Sequence, residues 1–438
     1  MLLHDLVQKY ALSAETAAFM EQYGFEEAEE SFHWPLEELA PELLAERWRA
    51  LKLPGTPETT GKALAEAGKC EYFQHLFYYL YYYWYKLENA LIYDHKLPDM
   101  NQCLNDPAAV GLLELAMAIA GCSSIEKKFA GLNLPAKYAQ DAIMRISEDV
   151  KPYSSRMGYL AYPSGGHHWM RWFVIGKLFR IGRFEYTTDT EAMQFAPYVY
   201  KHKTSGKVIA LCRANWRLDR NGWQLWRDYP DEEPYCVTTF EETTDFVRGT
   251  PIDPAGFAEV EKIVTLDKSE FALLWNDSDL VPDMHIPPGG GMTPELCEKS
   301  LKDAMAFFER YFDCKPKAFT CFSWVFNPDF CEVLPESNLA KFMRNVYLTP
   351  FAGSSLSGLS FVFGKSGKDW SDYPAENSLQ KAFHTLRKQS RRLKTGGMFI
   401  EAAGIKEFNS NYYCRIYTDL QGTLHNKLLY RNKDIPEA

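Results

Sequence analysis

The sequence predicts an α+β fold: an all-helical N-terminal domain over residues 1–150, then a mixed α/β domain over 151–438 with a central, largely antiparallel sheet. Three observations carry this. Up to about residue 150, apolar residues recur at three- and four-residue spacing; from 172 to 218, aliphatic and aromatic runs are separated by turn signals; beyond 280, strand-like runs alternate with amphipathic helices. At 438 residues the chain exceeds what one ordinary core organises.

The elements follow in order. "SAETAAFMEQYG" opens on a serine cap, "PLEELAPELLAERWRALKL" holds the helical period, and Gly61 to Tyr85 continues it with an aromatic face. "AAVGLLELAMAIAGC" and "LPAKYAQDAIMRISEDV" are further helices. "WFVIGKLFRIGRFEYTT" and "YVYKHKTSGKVIALCRANWRL" read as antiparallel strands with a hairpin at "TSGK", and "RGTPIDPAGF" as a loop. "SEFALLW" and "VPDMHIP" are strands around the turn "NDSD". Then come a glycine loop, a helix over 293–312, the strand "AFTCFSW", a helix over about 328–345, the strand "SFVFGK" and a helix over about 375–394.

Composition narrows the function. A formal net charge of -10 argues against nucleic acid as a partner, because neutralising phosphates needs a basic face. The ten cysteines include no CxxC pair, so no zinc or redox motif is visible. "MLLHDLVQKY" carries acid and base early, unlike a secretory leader, which points to a reduced cytoplasmic setting. No run of roughly 20 apolar residues is visible, so no membrane partner is expected.

"MHIPPGGGMTPELCEKSL", residues 284–301, is the most informative stretch. Leu296, Cys297, Ser300, Leu301, Ala304, Phe307, Phe308 and Tyr311 fall on one helix face. Thr293 is a suitable N-cap, and Pro294 sits where a missing N–H costs nothing. The amides from Gly289 through Gly290, Gly291 and Met292 to Thr293 then face a helix start, where glycines let an anion approach the backbone. The other reading is a tight corner that binds nothing. The absence of a Gly-Lys-Ser/Thr ending excludes an ATP-type P-loop.

The order strand, glycine loop, helix, strand, helix, strand pair resembles the core of GNAT-type acyltransferases. "HIPPGGGMTPELCEKSLKDAMAFF", "CFSWVFNPDFCEVLPESNLAKF", "NSLQKAFHTL", "FRIGRFEY" and "GTPIDPAG" resemble a bacterial acyltransferase family with a helical N-terminal domain and a GNAT-like C-terminal domain. That resemblance implies an acyl-coenzyme A co-substrate, no metal, and a small-molecule or peptide amine acceptor. It places the pyrophosphate on the loop amides, with Ile286 where most GNAT loops carry Gln or Arg, and Gly289 and Gly291 at the two glycine positions. Where many GNAT enzymes carry a tyrosine acid, this chain has Phe342 or Met343. A non-catalytic ligand sensor on the same fold is the alternative function.

Acyl transfer needs a base for the amine, donors for the oxyanion and a proton for the thiolate. His285 is the candidate base, against a structural histidine at a strand end. Ser323, or Cys321, is the candidate proton donor, and Trp324 a wall of the acceptor pocket; each is equally interpretable as packing. His167 and His168 are adjacent, which in a strand points them to opposite faces and away from a shared metal. Arg387, Lys388, Arg391, Arg392 and Lys394 complement a helix C-terminus capped by Gly396 and Gly397, or contact a coenzyme A 3′-phosphate. Tyr78 to Tyr85 are a packed helix face or an aromatic platform.

Overall fold

The computed structural model describes residues 1–87, 96–188 and 191–414. It divides into two compact units, one formed by Met1–Ile181 with Pro287–Gly289, the other by Gly182–Ile286 with the chain from Gly290 onward.

Among its described residues the first unit has helices and no strand up to Val174, followed by the short strand Leu178–Ile181. Its centre is built from α1 (Glu71–Tyr85), α2 (Pro107–Gly131) and α3 (Gly165–Val174). The tyrosines of α1 are core: Tyr79, Tyr81, Tyr83 and Tyr85 are buried, and Tyr81 Oη donates to Glu38 Oε1 at 2.9 Å. A buried phenol needs such a partner, and supplying it excludes the platform reading. Gly121 on α2 leaves the space that the Tyr85 ring fills.

Three sequence expectations change here. The helical run does not end near 150, which falls inside the helix Arg145–Met157. "GGHHWMRWFV" is the helix α3, not a strand, because its apolar face packs into the helical core: His167, Met170 and Phe173 are buried. α2 is long and apolar enough to cross a membrane by length and composition, with a mean hydropathy of 1.8 over its most apolar window. Most of that window, 72%, is buried within the protein. Helices hydrophobic all round occur in such cores.

In the second unit the main sheet contains β1 (Phe184–Thr187), β2 (Asp283–His285), β3 (Ala318–Ser323), β4 (Tyr347–Phe351) and β5 (Thr395–Glu401), in the order β1-β2-β3-β5-β4. Only β2 and β3 run parallel; the other neighbours are antiparallel. Between β2 and β3 lies α4 (Pro294–Phe312), a crossover as parallel strands require. Its buried face is Cys297, Ser300, Leu301, Ala304, Phe307 and Phe308, whereas Leu296 is exposed. A second, antiparallel sheet contains the hairpin Tyr198–His202 and Val208–Leu211 joined through "TSGK". Its further strand Pro251–Asp253 lies within the segment expected to be a loop.

Other differences lie downstream of β3. The expected helix over 328–345 is split into Phe330–Val333 and α5 (Asn338–Met343), with Pro335 between them. "SFVFGK" lies in the short helix Leu359–Phe363 rather than a strand, and β4 and β5 take the final strand pair. α6 (Ser378–Lys388) ends before Arg391. Gly396 and Gly397 are not its cap but buried β5 residues, because a side chain there would collide with the Phe326 carbonyl or the Thr349 hydroxyl.

Candidate functional site

The parallel pair β2–β3 opens almost as soon as it forms. Asp283 and Thr320 are its only residues in register among the described residues. Upstream, the Thr320 amide donates to the Pro282 carbonyl at 3.1 Å and the Lys317 amide to Leu280 at 3.0 Å. Downstream, β3 continues to Ser323 against β5, and β2 ends at His285.

Strand alternation puts Asp283 and His285 on one face of β2, with the buried Met284 on the other. His285 Nε2 lies 3.6 Å from Asp283 Oδ2. Thr320 Oγ1 donates to Asp283 Oδ1 at 3.3 Å. Across the antiparallel pair, His285 stands opposite Glu185 of β1, a buried residue whose side chain shares that face. The partly exposed imidazole thus sits among carboxylates at a strand end. Burial pushes the Asp283 carboxyl up to about 7, while the Thr320 hydroxyl and the Met284 amide pull the other way. A raised carboxyl stabilises the fold in its protonated form: that contribution is complete below 3.8 and is lost as pH rises through about 7. Asp283→Asn should therefore gain stability relative to wild type across that window, read as a growing difference in urea midpoints between pH 4 and pH 8.

The glycine loop meets the helix as its sequence predicts. Gly289 and Gly290 have φ of 82° and 32°, in the left-handed region that favours glycine. A side chain at Gly290 would meet open space. Thr293 caps α4, its Oγ1 accepting from the Leu296 amide at 3.4 Å, and Pro294 follows at the first helical position. None of the amides of Gly290, Gly291, Met292 and Thr293 donates to another described residue. They are directed to solvent or a ligand at the positive end of a 19-residue helix. Arg183 adds positive charge, its Nε donating to the Gly291 carbonyl at 3.1 Å. Ile286 is partly buried at the end of the segment that leads into this loop.

The remaining candidates separate. Ser323 ends β3, and its Oγ accepts from the Val325 amide at 3.4 Å, capping a short turn that contains Trp324. Trp324 stacks on the exposed Phe361 at 6.0 Å and meets Phe383 edge-on, so it packs and still borders solvent. Cys321 is fully buried, and that burial pushes its thiol well up, which leaves it a packing residue. Phe342 and Met343 are buried in α5, with no acid in their place. Four of the five basic residues are paired, Arg391 with Glu332, Arg392 with Glu232, Lys394 with Asp329 and Arg387 with Asp369, and only the exposed Lys388 has no ion pair among the described residues. His167 lies in the helical unit, hydrogen-bonded to Glu114 and Tyr85. Asp283, Glu185, Thr320 and Arg183 were missed from sequence. The alternation in "PDMH" was the signal available for Asp283.

A parallel strand pair that opens beside a helix N-terminus with unpaired amides is the architecture of the GNAT class of acyltransferase folds. The chain belongs to the family of the GNAT-like C-terminal domain, which it matches over residues 178–405, more than half of its 438 residues. Among solved structures it is similar to an acyltransferase in complex with decanoyl-CoA and teicoplanin, at 16% identity and a TM-score of 0.59. It is also similar to an acyltransferase with CoA and 10C-teicoplanin (16%, 0.58) and to an acyltransferase mutant with octanoyl-CoA (18%, 0.57). Each comparison covers 92% of this chain and 99% of the other. No curated protein sequence matches the chain significantly.

Proposed function

We propose that this protein transfers an acyl group from an acyl-coenzyme A to an amine, with the helical unit acting as the N-terminal domain of the bacterial acyltransferase family it resembles. The observation that carries this reading is the run of unpaired amides from Gly290 to Thr293 beside the gap that opens after Asp283 and Thr320. The amides hold the pyrophosphate, with Arg183 adding charge, and the gap receives the pantetheine arm. The similar structures hold octanoyl-CoA, decanoyl-CoA and teicoplanin, which supports a medium-chain donor and a small-molecule acceptor.

His285 takes the proton of the incoming ammonium, and the nitrogen lone pair then forms the new bond to the thioester carbon as the C–S bond breaks. The Asp283 carboxylate, 3.6 Å away, stabilises the imidazolium that results. Ser323 supplies a proton to the departing thiolate and is restored by the second proton that the new amide nitrogen sheds, and Trp324 lines the acceptor side. Ser323→Ala should lower turnover by roughly tenfold, less than loss of the base, with coenzyme A affinity unchanged. Thiol release from acetyl-, octanoyl- and decanoyl-coenzyme A across a panel of amines tests the whole reading. Amine-dependent release is expected, and coenzyme A binding without turnover on any amine would leave a sensor instead.

A further inference from the structure

The helical unit contains a cavity of about 400 Å³ that the acyl-transfer reading does not use. Leu80 and Trp84 of α1 and Met117 of α2 form an apolar wall, and Glu114 of α2 and His167 of α3 a polar one. Glu114 is buried, yet only one of its oxygens is bonded: Oε2 lies 2.7 Å from His167 Nε2, and Oε1 accepts from no described residue.

The hydrogen bonds around His167 fix the charge of this group. Its Nδ1 is 2.6 Å from the Tyr85 hydroxyl, which is buried and has no other partner among the described residues. If the ring donated to that oxygen, the phenolic proton would be left without an acceptor, at the desolvation cost of an unmade bond. With Tyr85 donating to Nδ1 and Nε2–H donating to Glu114, every proton is placed and the ring is neutral. Glu114 then carries a buried negative charge that no described residue of the cavity wall neutralises. Among the described residues no Lys or Arg lines the cavity, and Asp99 adds a second carboxylate. Burial, and then the nearby Arg171, lower the pKa of the lining residue His168 and keep it uncharged. A buried carboxylate beside an indole face is a site for a cation with an apolar body.

We propose that this cavity is a second ligand site, taking a small molecule with one ammonium group on an apolar body, the ammonium seated on Glu114 against Trp84. The proposal does not rest on acyl transfer and holds whether or not the second unit turns over.

Calorimetry on the full chain with 2-phenylethylamine, 2-phenylethanol and 3-phenylpropionate tests it. The amine should bind at least roughly tenfold more tightly than the alcohol, the charge being the difference, and the acid should not bind. Glu114→Gln should remove that amine preference while leaving the alcohol's affinity unchanged. Because Glu114 is the acceptor for His167, this variant can fail to fold; Ser164→Trp, at an exposed position on the cavity lining, blocks access without touching a buried bond and should abolish amine binding. Wild type that binds no amine at millimolar concentration, that binds all three probes alike, or a Ser164→Trp variant that binds as wild type does would overturn the site.

Discussion

Replacing Gly291 by aspartate is expected to abolish coenzyme A binding and leave the fold intact. A Cβ at this position meets nothing closer than the Asn338 amide group at 3.7 Å, and its backbone, unlike that of Gly289 and Gly290, is not left-handed. The new carboxylate would lie near the N-terminus of α4, where a negative charge suits the helix dipole, so unfolding should come no earlier than in wild type. The same charge repels the pyrophosphate. Two unit charges about 4 Å apart near a protein surface repel by about 4 kcal/mol, or roughly 10³-fold in affinity. Calorimetry with coenzyme A reads the effect, and a dissociation constant equal to that of wild type would return the glycines to a simple corner.

His285→Ala is expected to lower the rate of acyl transfer by roughly 10²-fold while coenzyme A affinity stays constant. The separation matters because His285 ends β2 and the amides start α4, so the proposed base and the proposed anchor are carried by different elements. The wild-type rate should rise with pH through neutrality as the pair with Asp283 loses its proton, with an apparent pKa that belongs to the pair. In the alanine variant that dependence should flatten. An unchanged kcat would make His285 a structural residue.

The sequence carried the helical first part, the loop and α4 because long periodic runs and a proline-led cap are local signals. It misled where local and tertiary preferences diverge. Apolar runs as short as "SFVF" fit a strand or a single helical turn, and α3 has the aromatic look of a strand although it packs as a helix. Gly396 and Gly397 followed a basic helix and resembled its cap, whereas the cause is a close crossing of chains around β5. His285 was legible as a candidate base, but the carboxylate beside it was not. Asp283 gains meaning only from Thr320, 37 residues on, and from the opposing β1, which no spacing rule brings together. The ion pairs of the basic run were hidden for the same reason, since its acidic partners are scattered from Glu232 to Asp369.

The brief parallel pairing of β2 and β3 has a mechanical consequence. Sheets resist shear through the bonds that cross each pair of strands, and here β1–β2 is joined to β3–β5–β4 by one pair in register and by the bonds from Thr320 and Lys317 to Pro282 and Leu280 just upstream of it. That boundary is the weakest line in the sheet, so the two parts can breathe against each other with little loss of core packing. Coenzyme A laid along that line, as proposed, would supply the missing crossbars, and the stiffness of the sheet would then belong to the loaded protein rather than to the chain alone.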